Sequence, residues 1–265
     1  MTLLHHDITF CNFDNSYKSQ PQLLAASPHH WIDFSQLRGT HLYCSPEAFI
    51  HICDKLSTVP DHGLTFWGSG NYHYATLALL KNIHHPFSLV LFDHHTDLQE
   101  GRIDSLLSCG SWVRHALSQL ANLQKVVIIG PDLNEALMGH ITQRSRVVLF
   151  PEERFPTPEQ LLNVLTTDHI YVSIDKDVLS ENDAKTNWNQ GTVSIDQLNP
   201  LLELLIEERL VEGMDVCGEW PVRPHQQFDH QTRAWISKNE HSNLSITRTF
   251  IRQMQNCGKQ SKHAI

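Results

Sequence analysis

The chain is expected to fold as a three-layer α/β/α structure around a mainly parallel sheet, and three observations predict it. Short apolar or β-branched runs recur along the sequence, helix-like patterns separate them, and clusters of acidic and histidine residues follow directly on two of the runs. Parallel strands buried on both faces read as continuous apolar segments, which is the character of Phe87 to Phe92 (FSLVLF) and His169 to Ile174 (HIYVSI).

Taken in order, the stretch to about Ser45 is weakly periodic and yields no firm boundary. The patterns then give strands at Leu64 to Gly68, Phe87 to Phe92, Lys125 to Gly130, Arg146 to Phe150, His169 to Ile174 and Glu212 to Cys217. Helices are expected over Tyr72 to Asn82, Ser108 to Leu120, Glu135 to Gln143, Pro158 to Leu165 and Ile195 to Glu208, with Thr157 and Ser194 as N-caps of the last two. Asn243 to Asn256 has the apolar spacing of a closing helix, and Gly258 to Ile265 reads as a frayed tail. Repeats and low-complexity linkers are absent. A length of 265 residues suffices for one large α/β domain, and residues 1–265 are read as one.

Three short segments carry the chemistry: GNYH at Gly70 to His73, DHHTD at Asp93 to Asp97, and SIDKDVL at Ser173 to Leu179. In extended chain, alternate side chains project to one side, so Asp93, His95 and Asp97 can converge, as can Asp175 and Asp177. Two of these motifs begin where a strand ends, the usual place for ligand sites in open α/β sheets. Carboxylates and imidazoles without thiolate suit a hard or borderline ion such as manganese. Four clustered carboxylates repel and rise in pKa without a cation. Two divalent ions bring their formal charge to zero, and a water between such ions loses a proton near neutral pH. Taken singly, each aspartate could be a cap or loop residue and each histidine a core residue. For the whole set that reading requires burying several acids without compensation.

These segments resemble the GGDH-, DAHTD- and SIDVDVLDP-type motifs of the ureohydrolase (arginase) superfamily, which includes arginase, agmatinase and formimidoylglutamase. The resemblance implies an arginase-like fold with two manganese ions. His73, Asp93, Asp97 and Asp175 would hold one ion, and Asp93, His95, Asp175 and Asp177 the other. It also implies hydrolysis of a C–N bond in a guanidino, formimidoyl or related amidine compound, with Asp97 accepting a proton. Relatives commonly form trimers or hexamers, which extends to this chain by analogy alone. A single-zinc deacetylase-like amide hydrolase and a non-catalytic metal-binding relative stay open.

Departures from the family pattern fall on the substrate side. Where relatives carry a loop histidine, SCGSW places Cys109, which is expected either as a catalytic group or as a small residue lining the pocket beside Trp112. In MDVCGEWP, Glu219 stands one position away from the family's guanidinium-binding glutamate; it is expected as a catalytic residue that anchors the substrate, with an exposed loop glutamate as the alternative. In IIGPDLNEAL, Asn134 stands where arginases carry an aspartate for the α-amino group, and it reads equally as a helix cap. The loop Ser180 to Thr192 brings Trp188 and Asn189 toward the entrance or forms a plain surface connection.

A net charge of −9 disfavours nucleic acid as a partner. Six cysteines without CxxC spacing suit a reducing cytosol, and pairs such as His84/His85 read as surface residues. The start MTLLHHDITF lacks the form of a signal peptide, and no apolar run could cross a bilayer, so a cytoplasmic enzyme acting on a small molecule is expected.

Overall fold

In the computed structural model, which describes residues 3–59, 61–100, 106–132, 144–226 and 228–260, eight strands form one sheet. These are β1 (Ile8–Asn12), β2 (His30–Asp33), β4 (Leu64–Phe66), β5 (Phe87–Phe92), β7 (Leu123–Ile129), β8 (Val147–Phe150), β9 (His169–Asp175) and β10 (Leu210–Cys217). Their order is β2-β1-β4-β10-β9-β5-β7-β8, and every pairing in it is parallel. Two short strands, β3 (Tyr43–Cys44) and β6 (Leu107–Ser108), pair antiparallel in a separate ribbon.

Alternation along the central strands builds the three layers. Val90 and Phe92 of β5, Val127 and Ile129 of β7, and Ile170, Val172 and Ile174 of β9 face one core. The α5 (Pro158–Val164), α6 (Ile195–Glu208) and α7 (His230–Gln260) helices bring Leu161, Leu202, Leu205 and Phe250 to it. Leu89, Leu91, Val126 and Ile128 point into a second core on the other face. There α2 (Pro46–Leu56), α3 (Thr76–Leu80) and α4 (Trp112–Gln119) contribute Ile52, Leu80, Trp112 and Val113. Strands buried on both faces need no polar alternation, so the runs of β5 and β9 are apolar almost throughout.

Thr157 and Ser194 cap α5 and α6 as their sequences predict, each through a reciprocal capping box with the glutamine three residues on. Several expectations are corrected. Ser108 belongs to β6, so the helix begins at Trp112. The segment from Gly70 to Ala75 is a 3₁₀ turn that leads into α3. The closing helix starts at His230, ahead of Asn243, because its first turns bury polar groups that leave no apolar period. Asn239 bonds both backbone groups of Lys185, and Glu240 accepts from Gln22 and Leu23 at the start of α1 (Pro21–Ala25). The helix expected over Glu135 to Gln143 lies outside the described residues. No helix among the described residues is long and apolar enough to cross a membrane.

Candidate metal centre

Four adjacent strands, β4, β10, β9 and β5, end at one rim of the sheet, and their carboxyl ends supply the site. The loop after β4 carries His73, Asp93 follows Phe92 at the end of β5, and Asp175 closes β9. Asp97 adopts φ +51, a left-handed conformation that aspartate tolerates better than most residues.

The side chains converge as the spacing predicts. His73 Nδ1 lies 3.3 Å from Asp93 Oδ2, 3.2 Å from Asp97 Oδ2 and 3.7 Å from Asp175 Oδ2. His95 Nδ1 lies 2.8 Å from Asp177 Oδ2 and 3.6 Å from Asp93 Oδ1. Three donor trios result, His73/Asp93/Asp97, Asp93/His95/Asp177 and His73/Asp175/Cys217, each with its ligand atoms within 4.8 Å of one another, and Asp93 belongs to the first two.

The residues fit a cation on three grounds. All four aspartates are buried. Burial, followed by the charges of Asp177 and Asp93, pushes Asp175 up to about 7, and burial likewise raises Asp97 and Asp177. Buried acids crowded in this way are stabilised in their charged form by a divalent ion. Second, the Asp175 carboxylate rests between two glycines. A Cβ at Gly70 would stand 2.6 Å from its Oδ2, and one at Gly218, where φ is +88, would stand 2.5 Å from its Oδ1. Only glycine leaves that carboxylate its place.

Third, His73 is held in a ligand's orientation. Ser173 Oγ donates its single proton to Asp215 Oδ1 at 2.7 Å, so it accepts from His73 Nε2–H at 2.8 Å. That leaves Nδ1 as the nitrogen facing the carboxylates; without a cation it holds a proton, since despite burial hydrogen bonds to Asp93 and Asp97 help to raise His73 above its ordinary value, and a metal ion would take that proton's place. Ser173 and Asp215 are register partners on β9 and β10. Spacing arguments passed over both, although a serine and an aspartate within otherwise apolar buried strands are a readable signal.

A sequence model described as the Arginase family matches residues 61–237. The chain belongs to the arginase family. An uncharacterized protein of Thermotoga maritima is 33% identical over 213 residues, covering 80% of this chain and 79% of its own. Formimidoylglutamase from Bacillus subtilis shares the fold with a TM-score of 0.64 at 17% identity, over 91% of this chain and 86% of its own. Arginase from Bacillus subtilis gives 0.64 at 14% identity, over 93% and 97%. A hypothetical agmatinase from Burkholderia thailandensis gives 0.63 at 18% identity, over 96% and 87%. At these identities the solved structures show a common fold alone.

In this arginase-family chain, a cleft of about 350 Å³, partly open to solvent, is lined by all six expected ligands together with Gly70, Gln99, Cys109, Gly110 and Trp188. Cys109 stands in the wall. Burial, then the nearby Asp97, pushes its thiol up to about 12, which favours the neutral form over a thiolate nucleophile. Trp188 is fixed through Nε1 to Asn71 Oδ1 at 3.1 Å, and its ring packs edgewise on His95 with centroids 5.7 Å apart. Gln99, which sequence reasoning missed, stands at the exposed mouth, whereas Asn189 is not among the lining residues.

Two expected substrate contacts lie elsewhere. Trp112 is fully buried and donates through Nε1 to Asp97 Oδ2 at 2.5 Å, so it holds the Asp97 side chain instead of lining the cleft. Glu219 is neither an exposed loop residue nor part of the cleft lining. Its carboxylate is ion-paired with the fully buried Lys176 and accepts from Gln20 Nε2 at 2.7 Å and Asn243 Nδ2 at 2.6 Å. The positive φ of Gly218 breaks the extended alternation between Cys217, whose thiol donates to Asp175 Oδ2 at 3.1 Å, and Glu219. Asn134 lies outside the described residues.

Proposed function

We propose that this arginase-family chain holds two manganese ions and hydrolyses a C–N bond in a small guanidino, formimidoyl or related amidine compound. The observation that carries the reading is the sharing of Asp93 between two donor trios at one cleft. A mononuclear zinc site of the deacetylase type leaves His73, Asp97 and Asp177 without a role. Asp175 lies beside His73, and by the pattern of the arginase family Asp93 and Asp175 would each serve both ions. Bound there, a pair of divalent ions supplies an acidified water and positive charge to offset the negative charge developing on the attacked group.

The protein's own residues do the rest. Asp97 has Oδ2 fixed by the Trp112 indole, which leaves Oδ1 to receive a proton from the attacking water. The indole of Trp188 offers a fixed flat surface for a planar amidine group, and the Gln99 amide stands at the mouth to orient it. Cys109 and Gly110 line the same cleft. Among the described residues, the non-ligand lining carries no charge. That supports recognition by shape and stacking over the charge pairing that free arginine would need.

The test is a turnover screen of manganese-loaded protein with guanidino, formimidoyl and simple amide compounds, following urea, formamide and ammonia. Product formation that disappears in Asp93→Asn is expected. Two bound ions with no product from any amidine would overturn the catalytic reading.

A further inference from the structure

At the opposite rim of the sheet, a second set of metal-binding side chains stands apart from the centre described above. His85 precedes β5, His169 opens β9, and Glu212 lies near the start of β10. Asp175 closes β9, so at roughly 3.3 Å of rise per residue the two ends of that strand are about 20 Å apart.

Glu212 is aimed by a break in the ladder. Val211 pairs with Ile170 and Gly213 with Tyr171, which leaves Glu212 as the extra residue of a β-bulge. A bulge releases one residue from the ladder and redirects its side chain. Here the carboxylate turns onto both imidazoles: Oε1 lies 2.7 Å from His85 Nε2 and contacts His169 Nδ1 closely. The two rings pack with centroids 4.0 Å apart. One donor atom from each residue falls within 4.8 Å of the other two.

Exposure is graded in the way an accessible ion site requires. The Glu212 side chain is 8% exposed, while those of His169 and His85 are 31% and 40% exposed. A buried carboxylate thus forms the floor, and the imidazoles leave an open side for water. Two nitrogens and one oxygen make a softer donor set than the acid-rich centre at the other rim, and His₂Glu with water is a known zinc arrangement. Bonds of about 2.1 Å to a tetrahedral ion place donors about 3.4 Å apart, so the more exposed imidazoles need only a small outward turn.

We propose that His85, His169 and Glu212 bind a zinc ion, completed by water, that ties together the starts of three adjacent strands, β5, β9 and β10. The experiment uses tag-free, manganese-loaded protein, given zinc and then freed of unbound ions. Zinc retention and melting temperature are compared for the wild type, His85→Ala and Glu212→Gln. The wild type should keep one more zinc equivalent than either variant and gain several degrees more in melting temperature on zinc addition, with manganese content alike in all three. Zinc exchanging into the acid-rich centre is common to all three proteins and cancels in the comparison. Equal zinc retention and equal melting shifts would overturn the proposal.

Discussion

The Ser173 hydroxyl lies 2.8 Å from His73 Nε2, on the side of the ring opposite the nitrogen that faces the carboxylates. It passes its own proton to Asp215, a buried acid one strand away, so one side-chain chain sets which nitrogen of His73 faces the carboxylates.

Replacing that hydroxyl should weaken metal binding without unfolding the protein. Ser173→Ala is expected to lower manganese affinity about 10- to 100-fold, the range for loss of an outer hydrogen bond to a ligating histidine. Titration calorimetry at pH 8 checks it. Unchanged affinity would mean that His73 is oriented by packing alone.

Trp112 offers a parallel test on Asp97. Trp112→Phe keeps an aromatic ring in the core but removes the 2.5 Å hydrogen bond to Asp97 Oδ2. Hydrogen bonds to charged groups contribute about 1.5–3 kcal/mol, so kcat should fall about 10- to 100-fold. Steady-state kinetics on an active amidine substrate measures this, and a rise in KM with kcat intact would return Trp112 to the role of substrate contact.

Glu219 separates structure from recognition. Lys176 and Glu219 are both buried and paired, so Glu219→Gln leaves an uncompensated ammonium and should cost about 3–5 kcal/mol in denaturant unfolding. A substrate anchor would behave in the opposite way, raising KM while stability held.

The convergence of the candidate ligands was legible because strand ends and a period of two place Asp93, His95 and Asp97, and then Asp175 and Asp177, on converging faces. Central strands were legible for a related reason: burial on both faces leaves FSLVLF and HIYVSI apolar apart from Ser88, His169 and Ser173. β2 was hidden because it lies at the sheet edge with Ile32 as its one buried residue. β1 was hidden because the buried polar residues Thr9 and Asn12 interrupt its apolar run and a polar turn follows it. The start of α7 was hidden because its inward face is polar and satisfied by loops distant in sequence. Glu219 misled because a one-residue offset next to a glycine at φ +88 redirects the chain, which periodicity does not register.

Chelation should reveal the burden carried by the metal-free cluster. Asp175 has a folded pKa of about 7, above its ordinary value of 3.8, so its contribution to stability is present below about pH 4 and lost as pH rises through 7. His95 is raised to about 12 because its hydrogen bonds to Asp177 and Asp93 outweigh burial, and its contribution is lost as pH rises from 6.5 through 12. Both slopes have one sign: the chelated protein should melt lower at pH 8 than at pH 5.5. Manganese competes with those protons, so its stabilisation should grow over the same interval. At about 100 times the dissociation constant, one ion adds about 2.7 kcal/mol, or roughly 5–10 °C. Calorimetric melts with and without chelator check this, and a gap independent of pH would contradict it.

If Asp93 serves two ions at once, the ion count of the loaded protein reports it. Protein loaded with manganese and freed of excess should carry two ions per chain by elemental analysis, with the low-temperature resonance spectrum of an exchange-coupled pair, and Asp93→Asn should abolish the coupled signal. One ion per chain, or a coupled signal that survives Asp93→Asn, would contradict it.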